Sequence, residues 1–391
     1  MKLLLVIDKL SIGGIASSLY SFLHFIPNDV SCDLLVFDQS TIDFTRIPKG
    51  ITLCDDVGLD ILGKSIRRLS EESKLKMLKK AALSMVARLT NGIVARKILF
   101  HRCELNTEYD LAIAYAHDTG WHSLSTGCCQ FVAEVVKAKY KAAYIHCDYK
   151  HFGGNDKRQI TQFQAMDSIL CVSESVRNRF IDCFPTLNDK VSVLENFIVE
   201  DAIVNQCNEY HKYPMETVNF VTVCRLTEEK GLLRCLNAFG RLNKEGISNF
   251  TWTVVGDGPL RETLVNKLDE LGMQKFVQLV GATTNPYYYM KNASYFILPS
   301  FHEAAPIVFG ECAVLKLPII STETASAKEL VENRGLGIVC SNSEDGIHDA
   351  IQDVLTGNVS DEFYKPQVNL NVNAVKQLDC LLQKADSKGK K

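Results

Sequence analysis

The stretch KLLLVIDKLSIGGIASSLYSFLHFIPNDVSCDLLVFD, residues 2–38, decides the fold. Two short apolar runs, KLLLVID and CDLLVFD, read as strands. Between them stand a Gly-Gly loop and a helix-like segment, IASSLYSFLHFI. Strand, loop, helix and strand in that order form the repeating unit of a parallel sheet covered by helices. The same alternation continues through YDLAIAYA, KAAYIHC and SILCVSE. After KVSVLENFIV a polar stretch without a clear period, EDAIVNQCNEYHKYPMET, reads as a connection near residues 197–217. A second series then begins with VNFVTVCRL and runs through FTWTVVG, FVQLVG, SYFILPS, PIIST and GIVC. The expected fold class is α/β, with two Rossmann-like βαβ domains facing each other across a cleft. The first domain covers residues 1–198 and the second 199–371. A helix-like segment follows near 372–385, and the final ADSKGKK reads as a disordered tail.

Composition agrees with two ordinary cores. A chain of 391 residues exceeds what one core usually serves. Its net charge of −3 gives no reason to expect nucleic acid as a partner. Asp8 interrupts the N-terminal apolar run too early for a signal peptide, and no run reaches membrane-spanning length. The 14 cysteines lie scattered in apolar segments without paired C-x-x-C spacing, which fits small hydrophobes in a reducing cytoplasm. One stretch departs from the average. Residues 64–102 hold 11 Lys or Arg against 2 Glu. Within them Leu75, Leu78, Ala82, Met85 and Leu89 recur at helical spacing. Two readings stand: a solvated basic face on helices that pack inward, or a basic amphipathic surface for an anionic membrane.

Four motifs carry candidate chemistry. Gly13 and Gly14 lie between a strand and a helix, where glycine serves either packing or close approach of an anion to the helix N-terminus. In VTVCRLTEEKG, Arg225 and Lys230 stand at a strand end beside a helix start. They suit a diphosphate, unless Glu228 and Glu229 simply pair with them. Gly256 and Gly258 shape the turn of VVGDGPL, with or without a nucleotide on it. In LPSFHEAAPIVFGE, Pro306 fits the first helical turn, which places Glu303 in the loop and Glu311 inside the helix. Five helical residues add roughly 7 Å, so the two carboxylates suit separate parts of an extended ligand. A nucleotide sugar offers hydroxyls at both ends and a diphosphate between.

These residues resemble the retaining glycosyltransferases of family 4. The likeness rests on the Gly-Gly loop, AYIHCDY, CVSESVRNRF, KVSVLENFI, VTVCRLTEEKG, VVGDGPL, LVGATTNPYYYMKNASYFILPS and HEAAPIVFGE, in that order over most of the chain. More loosely, the chain resembles bacterial enzymes that build capsule and O-antigen polysaccharide. The resemblance implies the two-domain GT-B architecture and a metal-independent, retaining hexosyl transfer without cofactor. A hexose or N-acetylhexosamine would pass from a nucleotide-diphosphate sugar, such as a UDP-sugar, to a saccharide acceptor carried on polyprenyl diphosphate. It also implies a helix near 372–385 that crosses back to the first domain, and a cytoplasmic place, peripheral on the inner membrane face. By the same resemblance Arg225 and Lys230 hold the donor diphosphate, Gly14 lies against the donor phosphate or the acceptor, and Glu303 with Ala304, Ala305, Pro306 and Ile307 contacts the sugar. Glu311 binds the ribose, Gly256 and Gly258 border the nucleotide, and His146 and Glu303 are the catalytic candidates. His146 has a second reading, as a satisfied half-buried histidine at a strand end. The chain departs from the family where Ala304-Ala305 replace Gly-Phe, Lys316 replaces a glycine, and Ala325-Ser326 replace Gly-Gly. Two rivals use the same features: a nucleotide-sugar 2-epimerase, and a non-catalytic nucleotide-binding scaffold. Reaction products separate the first, and retention of Arg225, Lys230, Glu303 and Glu311 weighs against the second.

Overall fold

The computed structural model describes residues 1–90, 92–101, 103–118, 124–151, 160–359, 364–366 and 369–389. It divides into two compact units, residues 1–197 with 371–391 and residues 198–370. Each has its own parallel sheet.

The first sheet contains β1 (Lys2–Lys9), β2 (Ser31–Asp38), β3 (Ile51–Leu53), β4 (Tyr109–Ala114), β5 (Ala138–Ile145), β6 (Ser168–Cys171) and β7 (Val191–Val193). Their order is β3-β2-β1-β4-β5-β6-β7, all parallel. Leu3 to Ile7 of β1 are all buried, as a strand covered on both faces requires. The edge strands β3 and β7 were not among the strands expected from sequence. The second sheet contains β8 (Val218–Val223), β9 (Phe250–Val255), β10 (Val277–Gly281), β11 (Tyr295–Leu298), β12 (Ile319–Thr322) and β13 (Gly337–Cys340), in the order β10-β9-β8-β11-β12-β13. Successive strand residues feed opposite cores. Phe220, Trp252 and Ile297 pack under the helix Leu232–Lys244, while Val221, Val255 and Phe296 pack on the helix Ile307–Leu315. Trp252 stacks on Phe239 at 5.2 Å between ring centres, and its indole N–H donates to Thr222 Oγ1 at 3.0 Å. Truncating such a side chain costs about 3–5 kcal/mol.

Three readings are sharpened or corrected. The 200–217 connection has structure of its own: Glu200–Asn205 is helical, and Tyr213 Oη donates to the Tyr289 carbonyl at 2.9 Å. The C-terminal helix runs Val372–Gly389, past the expected stop. Ala385 is fully buried and the Lys388 ammonium pairs with Asp167, so the residues assigned to a disordered tail are held through Gly389. The stripe of Leu75, Leu78, Ala82, Met85 and Leu89 does not pack inward. On the helix Lys74–Leu89 all five are exposed, and Leu83 and Ala87 are the buried residues. Arg102 lies outside the described residues.

The strand orders position the functional loops. Each sheet reverses its order once, between β1 and β4 and between β8 and β11. Loops leaving such neighbours depart in opposite directions, and ligands of open α/β sheets bind there, outside the carboxyl ends.

Candidate functional site

At the reversal of the second sheet, β8 leads into residues 224–231 and β11 into 299–306. Lys230 Nζ lies 2.6 Å from Glu303 Oε1, and Ser300 Oγ donates to the same oxygen at 2.6 Å. Both ion-pair partners are largely buried, with side-chain exposures of 15% and 11%. Lys230 is thus answered by an anion from the opposite loop, not by Glu228 or Glu229. Arg225 fits the other reading: it pairs with Glu229 at 3.1 Å on the surface. Cys224 lies among these groups. Burial pushes its thiol up to about 12, and Lys230, Glu303, Arg225 and Glu229 all act on it.

The loops are held by packing that leaves little freedom. Gly231 has φ +64°, and a Cβ there would lie 2.0 Å from the Pro299 carbonyl oxygen. Arg234 crosses from the 232–244 helix, donates from Nε and Nη2 to the Pro299 carbonyl at 3.0 and 2.6 Å, and lies 3.8 Å over the Phe301 ring. It therefore clamps the start of the loop that carries Glu303. Gly256 and Gly258 are explained by the same crowding. A Cβ at either would run into the Cys224 or Leu226 carbonyl, at 1.8 and 2.5 Å. Their turn packs backbone to backbone on the exit of β8.

Pro306 stands at the N-cap of the Ile307–Leu315 helix and offers no side-chain acceptor. Ala305 and Ile307 rest on the apolar cluster beneath. Neither Ala304 nor Ala305 has positive φ, so replacing Gly-Phe here strains no backbone. Lys316 does: it caps the helix at φ +56°, a region glycine fills more cheaply. Ser326 is fully buried, with no hydrogen-bond partner for its hydroxyl. Glu311 lies within the helix, where Tyr287 Oη donates to its Oε1 at 2.9 Å.

The reversal of the first sheet differs in kind. The helix Gly14–Leu23 starts directly after the β1 loop, with Gly13 at its N-cap and no capping side chain. A Cβ on Gly14 would meet nothing within 4 Å, and neither glycine has φ in the left-handed region. Nothing in this unit's own packing demands glycine at position 14. His146 follows β5 directly, its ring 4.2 Å from Tyr144 and 5.1 Å from Tyr115 between centres. Burial pushes it down to about 3, with His117 adding to the effect, while a hydrogen bond to the Tyr115 backbone works the other way. Its Nε2 is buried without a partner. The reading as a satisfied histidine therefore fails for that atom. His117 is likewise pushed down to about 4 by burial, and burial pushes the Asp8 carboxyl up.

Arg234, Ser300, Tyr287 and His117 were missed from sequence. An arginine inside the apolar segment LLRCL was the available signal for Arg234. Ser300 and Tyr287 gave none, because their partners arrive only through the fold.

The two sheets and their reversals define a class, the fold of GT-B glycosyltransferases. Residues 209–376 match the family described as "Glycosyl transferases group 1". The chain is 28% identical over 167 residues to an uncharacterized glycosyltransferase of Methanocaldococcus jannaschii, covering 41% of each chain, and so spans less than half of that relative. It is 24% identical over 238 residues to the capsular polysaccharide biosynthesis glycosyltransferase CapM of Staphylococcus aureus, covering 57% of this chain and 60% of CapM. Among solved structures it is similar to Anabaena HepE in complex with UDP-glucose. There the TM-score is 0.62 at 14% identity, over 100% of this chain and 99% of HepE.

Proposed function

We propose that this chain is a retaining glycosyltransferase of polysaccharide biosynthesis. It would move a hexose or N-acetylhexosamine from a nucleotide-diphosphate sugar to a saccharide acceptor, on polyprenyl diphosphate at the cytoplasmic membrane face. The observation that carries this reading is the convergence of Lys230, Ser300 and Glu303 at the β8/β11 reversal, with Glu311 farther along the adjoining helix. Lys230 and Arg225 suit the donor diphosphate, and the start of the 307–315 helix adds its partial positive charge. Glu303 suits sugar hydroxyls, with the backbone of residues 304–307 beside it, and Glu311 suits the ribose. The Gly256–Gly258 turn borders the same strand end.

In the proposed step a bond forms between the acceptor oxygen and the anomeric carbon. The bond from that carbon to the diphosphate oxygen breaks, and the acceptor proton passes to the leaving phosphate on the same face. The cations neutralise the leaving charge, so no metal or cofactor enters this reading. In the first unit, Gly14 at an open helix start suits a phosphate or acceptor group. A neutral His146, bonded to the Tyr115 backbone through its other nitrogen, presents Nε2 as an acceptor for a ligand hydroxyl. Burial keeps it unprotonated near neutral pH, so it would serve as an acceptor and not as an acid.

A melting-temperature panel with UDP, GDP, ADP, dTDP and CMP in EDTA tests the reading. One nucleotide is expected to raise the Tm of the wild type and not that of the Lys230→Ala, Glu311→Ala double variant. No shift with any of the five would overturn the donor site.

A further inference from the structure

The helix Lys74–Leu89 is inside out for a surface helix. Its inward face carries Leu83 and Ala87 but also two lysines. Lys76 Nζ pairs with the buried Asp60 at 2.7 Å, and Lys80 Nζ donates to the Ile61 carbonyl at 2.8 Å. Its outward face carries the apolar residues. Leu75 is 77% exposed, Leu78 59%, Met85 64% and Leu89 79%. At about 100° per residue these four and Ala82 fall in a stripe roughly 80° wide. Lys74 and Arg88 border one side of that stripe and Lys79 the other. None of these three makes an ion pair among the described residues. The neighbouring helices Ile66–Glu72 and Gly92–Phe100 add exposed Ile66 and Ile98.

An apolar stripe bordered by uncommitted cations matches one kind of surface, a bilayer whose headgroups are anionic. A second copy matches it less well, because two-fold pairing of the stripes would bring like charges together. With 16 residues the helix is about 24 Å long, too short to span the hydrocarbon layer. Among the described residues no helix is long and apolar enough to cross a membrane.

We propose that the 74–89 helix lies flat in the headgroup layer of an anionic bilayer. Leu75, Leu78, Met85 and Leu89 enter the acyl boundary, and Lys74, Lys79 and Arg88 meet lipid phosphates. This docking is independent of any glycosyl transfer.

The test is co-sedimentation of the full chain with vesicles of phosphatidylglycerol and phosphatidylcholine, against phosphatidylcholine alone. Two variants accompany it: Leu78→Ser with Met85→Ser, and Lys74→Gln with Lys79→Gln and Arg88→Gln. All five positions are exposed, so both variants keep the wild-type Tm and the nucleotide response. The wild type is expected to bind anionic vesicles at least about tenfold more tightly than neutral ones. The serine pair weakens binding by at least about tenfold. The glutamine triple removes most of the salt dependence. A wild type that does not sediment, or variants that sediment like it, would overturn the proposal. So would a wild-type dimer, by light scattering, that the serine pair turns into a monomer without vesicle binding; the stripe would then belong to a second copy.

Discussion

The β1/β4 reversal and the β8/β11 reversal occupy the same place in two similarly wound sheets, yet their chemistry is opposite. The second is ionic and internally answered. Lys230 already holds Glu303, Arg225 holds Glu229, and Gly231 and Arg234 lock the loops beneath them. The first is open, and its titratable groups Asp8, His117 and Asp118 are buried. It offers histidines that burial keeps uncharged, and a glycine with empty space around it. One winding can thus present a preformed ion pair at one place and a set of buried histidines and carboxyls at the other, because the strand ends fix only where loops leave. Side chains after the strands decide what those ends can bind.

The largest expected effect comes from breaking the ionic end. Lys230→Ala leaves Glu303 without its cation and removes the charge available to a leaving diphosphate. Transfer from a nucleotide sugar should fall by about 10²–10³ or more, with the nucleotide-induced Tm shift lost. A rate within threefold of wild type would put the donor charge elsewhere.

Next come the glycines, which separate the two ends by a single methyl group. Gly231→Ala drives a Cβ into the Pro299 carbonyl at positive φ, and should cost roughly 2–4 kcal/mol in urea unfolding. Gly14→Ala should leave that free energy within about 0.5 kcal/mol while weakening whatever ligand lies on the helix start.

The pH dependence is the third contrast. His117 and His146 sit below their ordinary value of 6.5, so the unfolded chain binds protons that the folded chain refuses. The stability these two histidines contribute should be complete above about pH 6.5 and fall as pH drops toward 4, by roughly 1.4 kcal/mol per pH unit for each, while Asp8 and Asp118, whose carboxyls burial pushes up, work in the opposite direction. The His117→Asn, His146→Asn double variant should flatten that part of the profile. An unchanged slope would mean that both rings take up protons in the folded state.

The smallest expected effect is Tyr287→Phe. It removes one hydrogen bond to Glu311 and should raise the KM for the nucleotide sugar by about two- to tenfold, with kcat nearly unchanged.

Much of this was legible in the residues. Alternating apolar runs mark strands whether or not their partners are known, so both sheets could be read, apart from the three-residue edge strands β3 and β7. Arg225, Lys230, Glu303 and Glu311 could be singled out because loops after strands carry function. Pairing could not be read. The separation of 73 positions from Lys230 to Glu303 closes only when β8 lies beside β11. Nor could direction: periodicity shows that Leu75, Leu78, Met85 and Leu89 share a stripe, not which way it points. Buried Asp60 decides that, by drawing Lys76 inward.

The Lys230–Glu303 pair also has a consequence for selectivity. An incoming anion does not meet a vacant ammonium; it must displace a carboxylate already seated at 2.6 Å. A lone monoanion offers Lys230 no more than Glu303 does, and its arrival leaves that carboxylate unmatched. A ligand bringing both a phosphate for the lysine and hydroxyls for the carboxylate satisfies both halves at once. In the proposed donor site the resting pair would work as a threshold, favouring a molecule that carries both groups over a lone monoanion.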